Sequence, residues 1–139
     1  MAFRIFIDTD ILLDFTLKRD AYAAARKLME WATRGRVQAF ITSNTVTITS
    51  YWLSKAYGAA KAREILAALL ADIQVIDIGH DITVNALHSR IQNMEQALQY
   101  YTALHHKLDY FITRDKDLDR AASAVLPVCL PEAFINNNS

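Results

Sequence analysis

The stretch ALQYYTALHHKLDYFITRD spans residues 97–115, and it carries a helix signal followed directly by a strand signal. We expect one helix over Met94–Lys107 and a short apolar strand over Tyr110–Thr113, after which the chain becomes charged at Arg114 and Asp115. A helix that leads into a buried strand is the repeating unit of parallel α/β sheets. The order of these two signals therefore predicts the fold class.

The same alternation continues in both directions from this stretch. Short runs of apolar and β-branched residues predict four more strands, at Phe3–Ile7, Val37–Ile41, Ile73–Ile78 and Val128–Leu130. The segments between them carry apolar residues at helical spacing, including a predicted helix over Leu118–Val125. We therefore expect a three-layer α/β fold, with a central parallel sheet of four to five strands and helices on both faces.

Size and composition set the limits of the interpretation. The chain has 139 residues with only three glycines and two prolines, and nothing in it marks an internal linker. We expect a single domain over residues 1–135 and a disordered tail over residues 136–139. Fifteen basic and fifteen acidic side chains leave no net charge, so any nucleic-acid binding must come from a local patch. The single cysteine, the lack of a signal peptide and the lack of a long apolar run predict a cytoplasmic protein with no membrane span.

Two acidic residues follow predicted strands. Asp8 comes directly after the first strand and Asp115 shortly after the fourth, so both are expected at the carboxyl edge of the sheet, where open parallel sheets bind ligands. Mg²⁺ and Mn²⁺ prefer such hard oxygen ligands. Asp8 could equally cap the next helix, although Thr9 or Asp10 could take that place. Asp14 is expected to be solvated or to face its helix.

The charged run from Thr113 to Arg120 also has two interpretations. It is either a solvated loop and helix start or a second carboxylate patch. In the second case Thr113 would lie near a scissile phosphate, and Arg114 or Lys116 would contact a nucleic-acid backbone. Several other basic residues are either a rim around a groove or scattered solvated charges: Lys18, Arg19, Arg34, Arg36, Lys55, Lys61 and Arg63.

Three segments together resemble a known family, the PIN domain. They are RIFIDTDILLDF at residues 4–15, NMEQALQYYTALHHKLDYFITRDKDL at residues 93–118, and LPVCLPEAF at residues 126–134. More narrowly, they resemble the branch that includes bacterial toxin nucleases of the VapC type. The resemblance implies a PIN-like fold, a cluster of three or four acids, and Mg²⁺- or Mn²⁺-dependent cleavage of RNA. It also implies an antitoxin protein as a partner and a homodimer.

The resemblance assigns roles to particular residues. Asp8 matches the first acid of the family, and Asp115 matches the late acid that follows Thr-Arg, so these two are the implied metal ligands. Asp117 is implied to assist Asp115. Thr113 matches the family's hydroxyl just after the strand. Asp8, Asp115, Asp117 and Thr113 are therefore the candidate catalytic residues.

This chain departs from the family pattern in the rest of the acid cluster. Ile48 stands where family members usually have an acid or an amide, and Asn93 and Gln96 stand where they commonly have aspartate. Glu95 lies beside Gln96, but on a helix it points about 100° away, so it could substitute only if the helix start were distorted. Two functions remain open: an endoribonuclease of the kind found as the toxin of a toxin–antitoxin pair, and a catalytically impaired module that binds RNA or a protein.

Overall fold

A computed structural model describes residues 2–139. Its sheet has five strands: β1 (Phe3–Ile7), β2 (Val37–Thr42), β3 (Ile73–Ile76), β4 (Tyr110–Ile112) and β5 (Val128–Cys129). All neighbouring strands are parallel, in the order β3-β2-β1-β4-β5. The predicted parallel sheet of four to five strands is confirmed.

Seven helices connect and flank these strands: α1 (Thr9–Thr16), α2 (Tyr22–Thr33), α3 (Ser43–Tyr57), α4 (Ala59–Leu69), α5 (Gly79–Leu87), α6 (Met94–His105) and α7 (Pro131–Asn138). A short 3₁₀ helix follows β4 at Lys116–Ala121. None of the helices within residues 2–139 has the length and apolar character to cross a membrane.

The pleat of β1 divides the core between the two faces of the sheet. Ile5 and Ile7 point to one face, where they belong to the same cluster as residues of α1, α2 and α7. Phe6 points to the other face, where its ring stacks on Phe111 of β4 at a centroid distance of 5.2 Å. Tyr100 of α6 completes that second core. Helices therefore cover both faces of the sheet, as predicted.

The strand order creates one topological switch point. The chain runs outward from β1 to β2 and β3, and then returns to place β4 on the other side of β1. Ligands of open parallel sheets bind at the carboxyl ends of the strands at such a point. The backbone N–H of Asp8 donates to the carbonyl of Ile112 at 3.0 Å, so Asp8 lies directly beside Thr113.

One predicted helix has a different form and place. The segment predicted as a helix over Leu118–Val125 is instead the 3₁₀ helix Lys116–Ala121. The Asp115 side chain caps the start of this helix by accepting from the backbone N–H of Asp117 at 2.9 Å. Leu118, which belongs to the helix, is buried. A local side-chain cap and one apolar contact thus stabilise a short turn where periodicity predicts a longer helix.

The prediction of a disordered tail is wrong, because residues 136–138 belong to α7. This helix begins with Pro131 at its first turn, a position that suits proline since its missing N–H would have no partner there. Phe134 is 1% exposed, and its ring meets Tyr110 edge-on at 5.3 Å. The guanidinium of Arg36 donates to the carbonyl of Asn138. Long-range packing, which a run of asparagines does not reveal, stabilises the tail.

Replacing Phe134 with alanine tests whether α7 is part of the fold. Because Phe134 is fully buried, we expect Phe134→Ala to lower the free energy of unfolding by about 3–5 kcal/mol. Val125 is 75% exposed, so Val125→Ala should change it by less than about 0.5 kcal/mol. Urea denaturation measures both, and equally small changes would contradict the packed α7.

Candidate active site

The carboxylate of Asp8 lies at the centre of the site. Asp8 occupies the position before α1, but its side chain makes no capping hydrogen bond, and the residue is only 5% exposed. One carboxylate oxygen, Oδ2, accepts from the Thr113 hydroxyl at 2.7 Å and from the Gln96 amide at 3.4 Å. The other, Oδ1, accepts from the Gln99 amide at 3.2 Å. The side chain of Asp8 therefore does not cap α1, and it contacts Thr113, Gln96 and Gln99 instead.

The amide of Gln99 has a fixed orientation. Its Oε1 accepts from the backbone N–H of Thr9 at 3.1 Å, and a backbone N–H can only donate. The Nε2 of Gln99 must therefore face the other way, where it donates to Asp8 Oδ1 at 3.2 Å and to Glu95 Oε1 at 3.3 Å. One amide nitrogen thus bridges two carboxylates.

This bridge corrects the prediction for Glu95. The helix α6 starts regularly at Met94, with the Asn93 side chain accepting from the backbone N–H of Gln96 at 2.9 Å. Glu95 does point away from Gln96, as expected, but Gln99 lies one turn further along and connects it to Asp8. Glu95 therefore joins the Asp8 site without any distortion of the helix start.

Burial raises the pKa of both carboxyl groups, and a nearby negative charge raises each of them further. Burial is the main cause of the raised pKa of Asp8; the nearby Asp10 adds to it, and the hydrogen bonds from Thr113, Gln96 and Gln99 oppose it. The pKa of Glu95 is raised mainly by burial and then by the negative charge of Asp8. The negative charge of Asp8 thus disfavours the ionised form of Glu95, and a cation placed between the two groups would relieve this repulsion.

Threonines of α3 form the wall beside Thr9. The hydroxyl of Thr9 donates to the Thr45 hydroxyl at 3.3 Å, and the Thr45 hydroxyl lies 3.2 Å from that of Thr42. Thr49 is fully buried, and its hydroxyl has no partner within the described residues. Ile48 is half-buried one residue earlier on α3. From α3, the Thr45 hydroxyl rather than a carboxylate thus contacts Thr9.

Asp115 and Asp117 lie in an adjoining cleft of about 630 Å³. Asn93 and Gln96 line the same cleft, and Gln96 is the contact between the cleft and Asp8. Both aspartates are exposed, and Asp115 accepts from the backbone N–H of Asp117. Across residues 2–139, no three or more acidic, histidine or cysteine side chains are arranged to hold a metal together. The site therefore offers two carboxylates at its centre and two more at its rim.

The structure overturns the prediction for Asp14. It is only 2% exposed, and its carboxylate pairs with Nε of Arg19 at 2.9 Å and with Nε of Arg114 at 2.6 Å. Buried carboxylates are stable only when they are paired, and the two guanidiniums provide the pairing. One of the two interpretations of the charged run had Arg114 or Lys116 contact a nucleic-acid backbone, whereas Arg114 here links the end of β4 to α1.

Gln99 and Thr9 are the site residues that the sequence interpretation missed. A signal for Gln99 was present, since it follows Gln96 by three residues and Glu95 by four, and such residues share a helix face. No comparable signal existed for Thr9, whose backbone N–H determines the orientation of Gln99 across 90 residues of sequence.

The model of the PIN domain family matches residues 4–117, and the chain belongs to this family. The matched range includes every residue of the site described above. No curated protein matches the chain in sequence.

Solved structures with the same fold come from bacterial toxin–antitoxin systems. VapBC2 from Rickettsia felis, bound to a DNA fragment from its promoter, has a TM-score of 0.68 at 17% identity, covering 91% of this chain and 98% of that one. A toxin–antitoxin complex from Klebsiella pneumoniae has a TM-score of 0.68 at 23% identity, covering 91% and 97%. VapC20 of Mycobacterium tuberculosis, a toxin that cleaves the sarcin–ricin loop, has a TM-score of 0.69 at 16% identity, covering 88% and 98%. At these identities the likeness is one of fold.

The raised pKa of Asp8 predicts how stability depends on pH in metal-free buffer. Between the ordinary value of 3.8 and the raised pKa, the folded state binds more protons than the unfolded state, so stability falls as pH rises through this window. In Asp8→Asn this contribution is absent, and we expect the free energy of unfolding to fall less steeply with pH than in wild type.

Urea denaturation from pH 4 upward measures the two slopes. Asp81→Asn is the matched control, because Asp81 is an exposed aspartate in the first turn of α5. Its slope should equal that of wild type. An Asp8→Asn slope equal to both would contradict the raised pKa.

Proposed function

We propose that this chain is an endoribonuclease that cleaves RNA phosphodiester bonds with the help of Mg²⁺ or Mn²⁺. The observation that carries the proposal is the buried Asp8 carboxylate at the switch point between β1 and β4, beside the Thr113 hydroxyl. Membership of the PIN domain family supports the same chemistry. The bridge from Asp8 to Glu95 supplies a second acid where the sequence has lost one.

The donor set fits a divalent cation that is held in part by its substrate. Asp8 and Glu95 would hold the cation, since both present hard oxygens to the same amide nitrogen and repel each other in its absence. Gln96 can add only a neutral amide oxygen. Mg²⁺ is commonly bound by one or two carboxylates together with substrate phosphates, so two acids suffice when RNA contributes to the site.

Each residue of the site has a separate role in this proposal. When bound, the cation would activate water and offset the charge that develops on the phosphodiester. Asp8 is kept in place by the Thr113 hydroxyl, and the Gln99 amide, itself fixed by Thr9, sets the position of Glu95 relative to Asp8. Such preorganisation means that the carboxylates need not reorient during the reaction.

We further propose that the protein acts in the cytoplasm as the toxin of a toxin–antitoxin pair, with an antitoxin protein as its partner. The similarity of fold to toxins from such pairs supports this assignment. A homodimer is also proposed, because the aromatic side chains of Tyr51 and Trp52 pack edge-on against each other and are both exposed on α3.

Cleavage of RNA tests the proposed function. We expect wild type to cut RNA in Mn²⁺ or Mg²⁺ and to be inactive in EDTA. Asp8→Asn should reduce the rate by at least about a hundredfold, the scale seen when a group that stabilises transition-state charge is removed. The control Asp81→Asn should cut at the wild-type rate. Full activity of Asp8→Asn, measured by gel electrophoresis of labelled RNA, would contradict the mechanism.

A second candidate function is binding without cleavage. The observation that favours it is the presence of two amides, Gln96 and Gln99, around Asp8, which satisfy the carboxylate without any cation. On this hypothesis Gln96→Asp should create RNA cleavage and Mn²⁺ affinity that wild type lacks, because it adds a charged ligand. If wild type already cleaves well and Gln96→Asp adds nothing, the binding-only function is excluded.

A further inference from the structure

The cleft beside Asp8 has the size and position of a subsite. Its volume of about 630 Å³ lies within the range of roughly 300–1,000 Å³ that is usual for ligand sites. The loop before α6 forms one wall and the 3₁₀ helix after β4 forms another. Gln96 lines the cleft and also contacts Asp8, so a ligand that begins at Asp8 can continue into this space.

Two arginines line this cleft without an acidic partner. Arg90 comes from the loop before α6 and Arg120 from the 3₁₀ helix, and both are exposed. The six ion pairs found within residues 2–139 involve other cations. Arg114 and Arg19, by contrast, are both engaged with Asp14. Arg90 and Arg120 are therefore free to bind an anion.

The remaining lining is polar with an apolar floor. Gln92, Asn93 and Gln96 provide amides that can both donate and accept hydrogen bonds. Ile91 and Leu118 are almost fully buried and present the apolar surface. Cations, amides and an apolar floor match the phosphate, the polar base edge and the flat face of a nucleotide.

Asp115 and Asp117 also line the cleft and balance the two arginines in formal charge. The net charge of the cleft therefore does not by itself favour the binding of a polyanion. Selection would come from direct contacts, because a guanidinium offers several donors in a planar arrangement that fits a phosphate. An acidic peptide would use the arginines but would leave the amides and the apolar floor without matching groups.

We propose that this cleft binds a nucleotide of single-stranded RNA next to the phosphate at Asp8, with Arg90 and Arg120 each contacting a backbone phosphate. The inference rests on the proposed function, since it assigns part of the RNA-binding surface of the same site. Under the proposed function, the RNA is cleaved at Asp8. The cleft then determines the direction from which the RNA strand reaches Asp8.

Salt-dependent RNA binding tests the inference without requiring cleavage. A fluorescently labelled single-stranded RNA is titrated with protein in EDTA at several salt concentrations, and anisotropy gives the affinity. For single strands, the slope of log K against log salt changes by about 0.7 for each phosphate contact. We expect Arg90→Gln and Arg120→Gln each to weaken binding and to make the slope shallower by about that amount.

Arg26→Gln is the matched control, because Arg26 is an exposed arginine on α2 that does not line the cleft. It removes the same charge from another part of the surface and should leave the slope at the wild-type value. All three substitutions are at exposed positions, and unchanged thermal unfolding midpoints would verify the fold. Slopes for Arg90→Gln and Arg120→Gln equal to that of Arg26→Gln would overturn the inference.

Two further measurements separate the remaining outcomes. If a polyglutamate peptide binds in an arginine-dependent manner while RNA does not, the cleft is a peptide site and the inference is wrong. Cleavage by the same wild-type preparation in Mn²⁺ separates the two proposals. Cleavage with unaltered slopes rejects only the RNA cleft, whereas a protein that neither binds nor cuts RNA rejects the proposed function and the cleft together.

Discussion

The buried carboxylate of Asp8 is the constraint on which the rest of the site depends. A carboxylate that is only 5% exposed must receive hydrogen bonds from the protein or remain unpaired at high free-energy cost. The donors come from two separate elements, Thr113 after β4 and the first turns of α6. The hydrogen bonds from α6 to Asp8 therefore determine how this helix packs against the sheet. The same packing positions Glu95 and one wall of the adjoining cleft.

The balance of charges distinguishes this site from a complete cluster of acids. The amides of Gln96 and Gln99 replace charged groups around Asp8, so the fold is stable without a cation. Because amides are neutral, they also leave less negative charge to bind a cation. With two carboxylates at the centre, metal and RNA phosphate would each strengthen the binding of the other. The free arginines of the cleft would then contribute to metal affinity indirectly, by retaining the phosphate that completes the coordination.

Local patterns predicted the architecture, while long-range contacts decided the details of the site. Hydrophobic periodicity located all five strands, and the position of Asp8 after β1 placed it correctly at the carboxyl edge. The burial of Asp14 could not be predicted in this way, since its partner Arg114 is 100 residues away. The role of Gln99 depends on the backbone of Thr9, and the helical tail depends on the burial of Phe134. Each of these failures concerns a polar or terminal residue whose partner lies far away in sequence.

We propose that Asp8, linked to Glu95 through Gln99, forms a cation site. Calorimetric titration of metal-free protein with Mn²⁺, on wild type and Asp8→Asn side by side, tests it most directly. We expect saturable binding to wild type that disappears in Asp8→Asn. No binding to wild type up to millimolar Mn²⁺, or equal binding to both proteins, would contradict a cation site at Asp8. In the first case the amides would have replaced the cation, and in the second the cation would bind elsewhere.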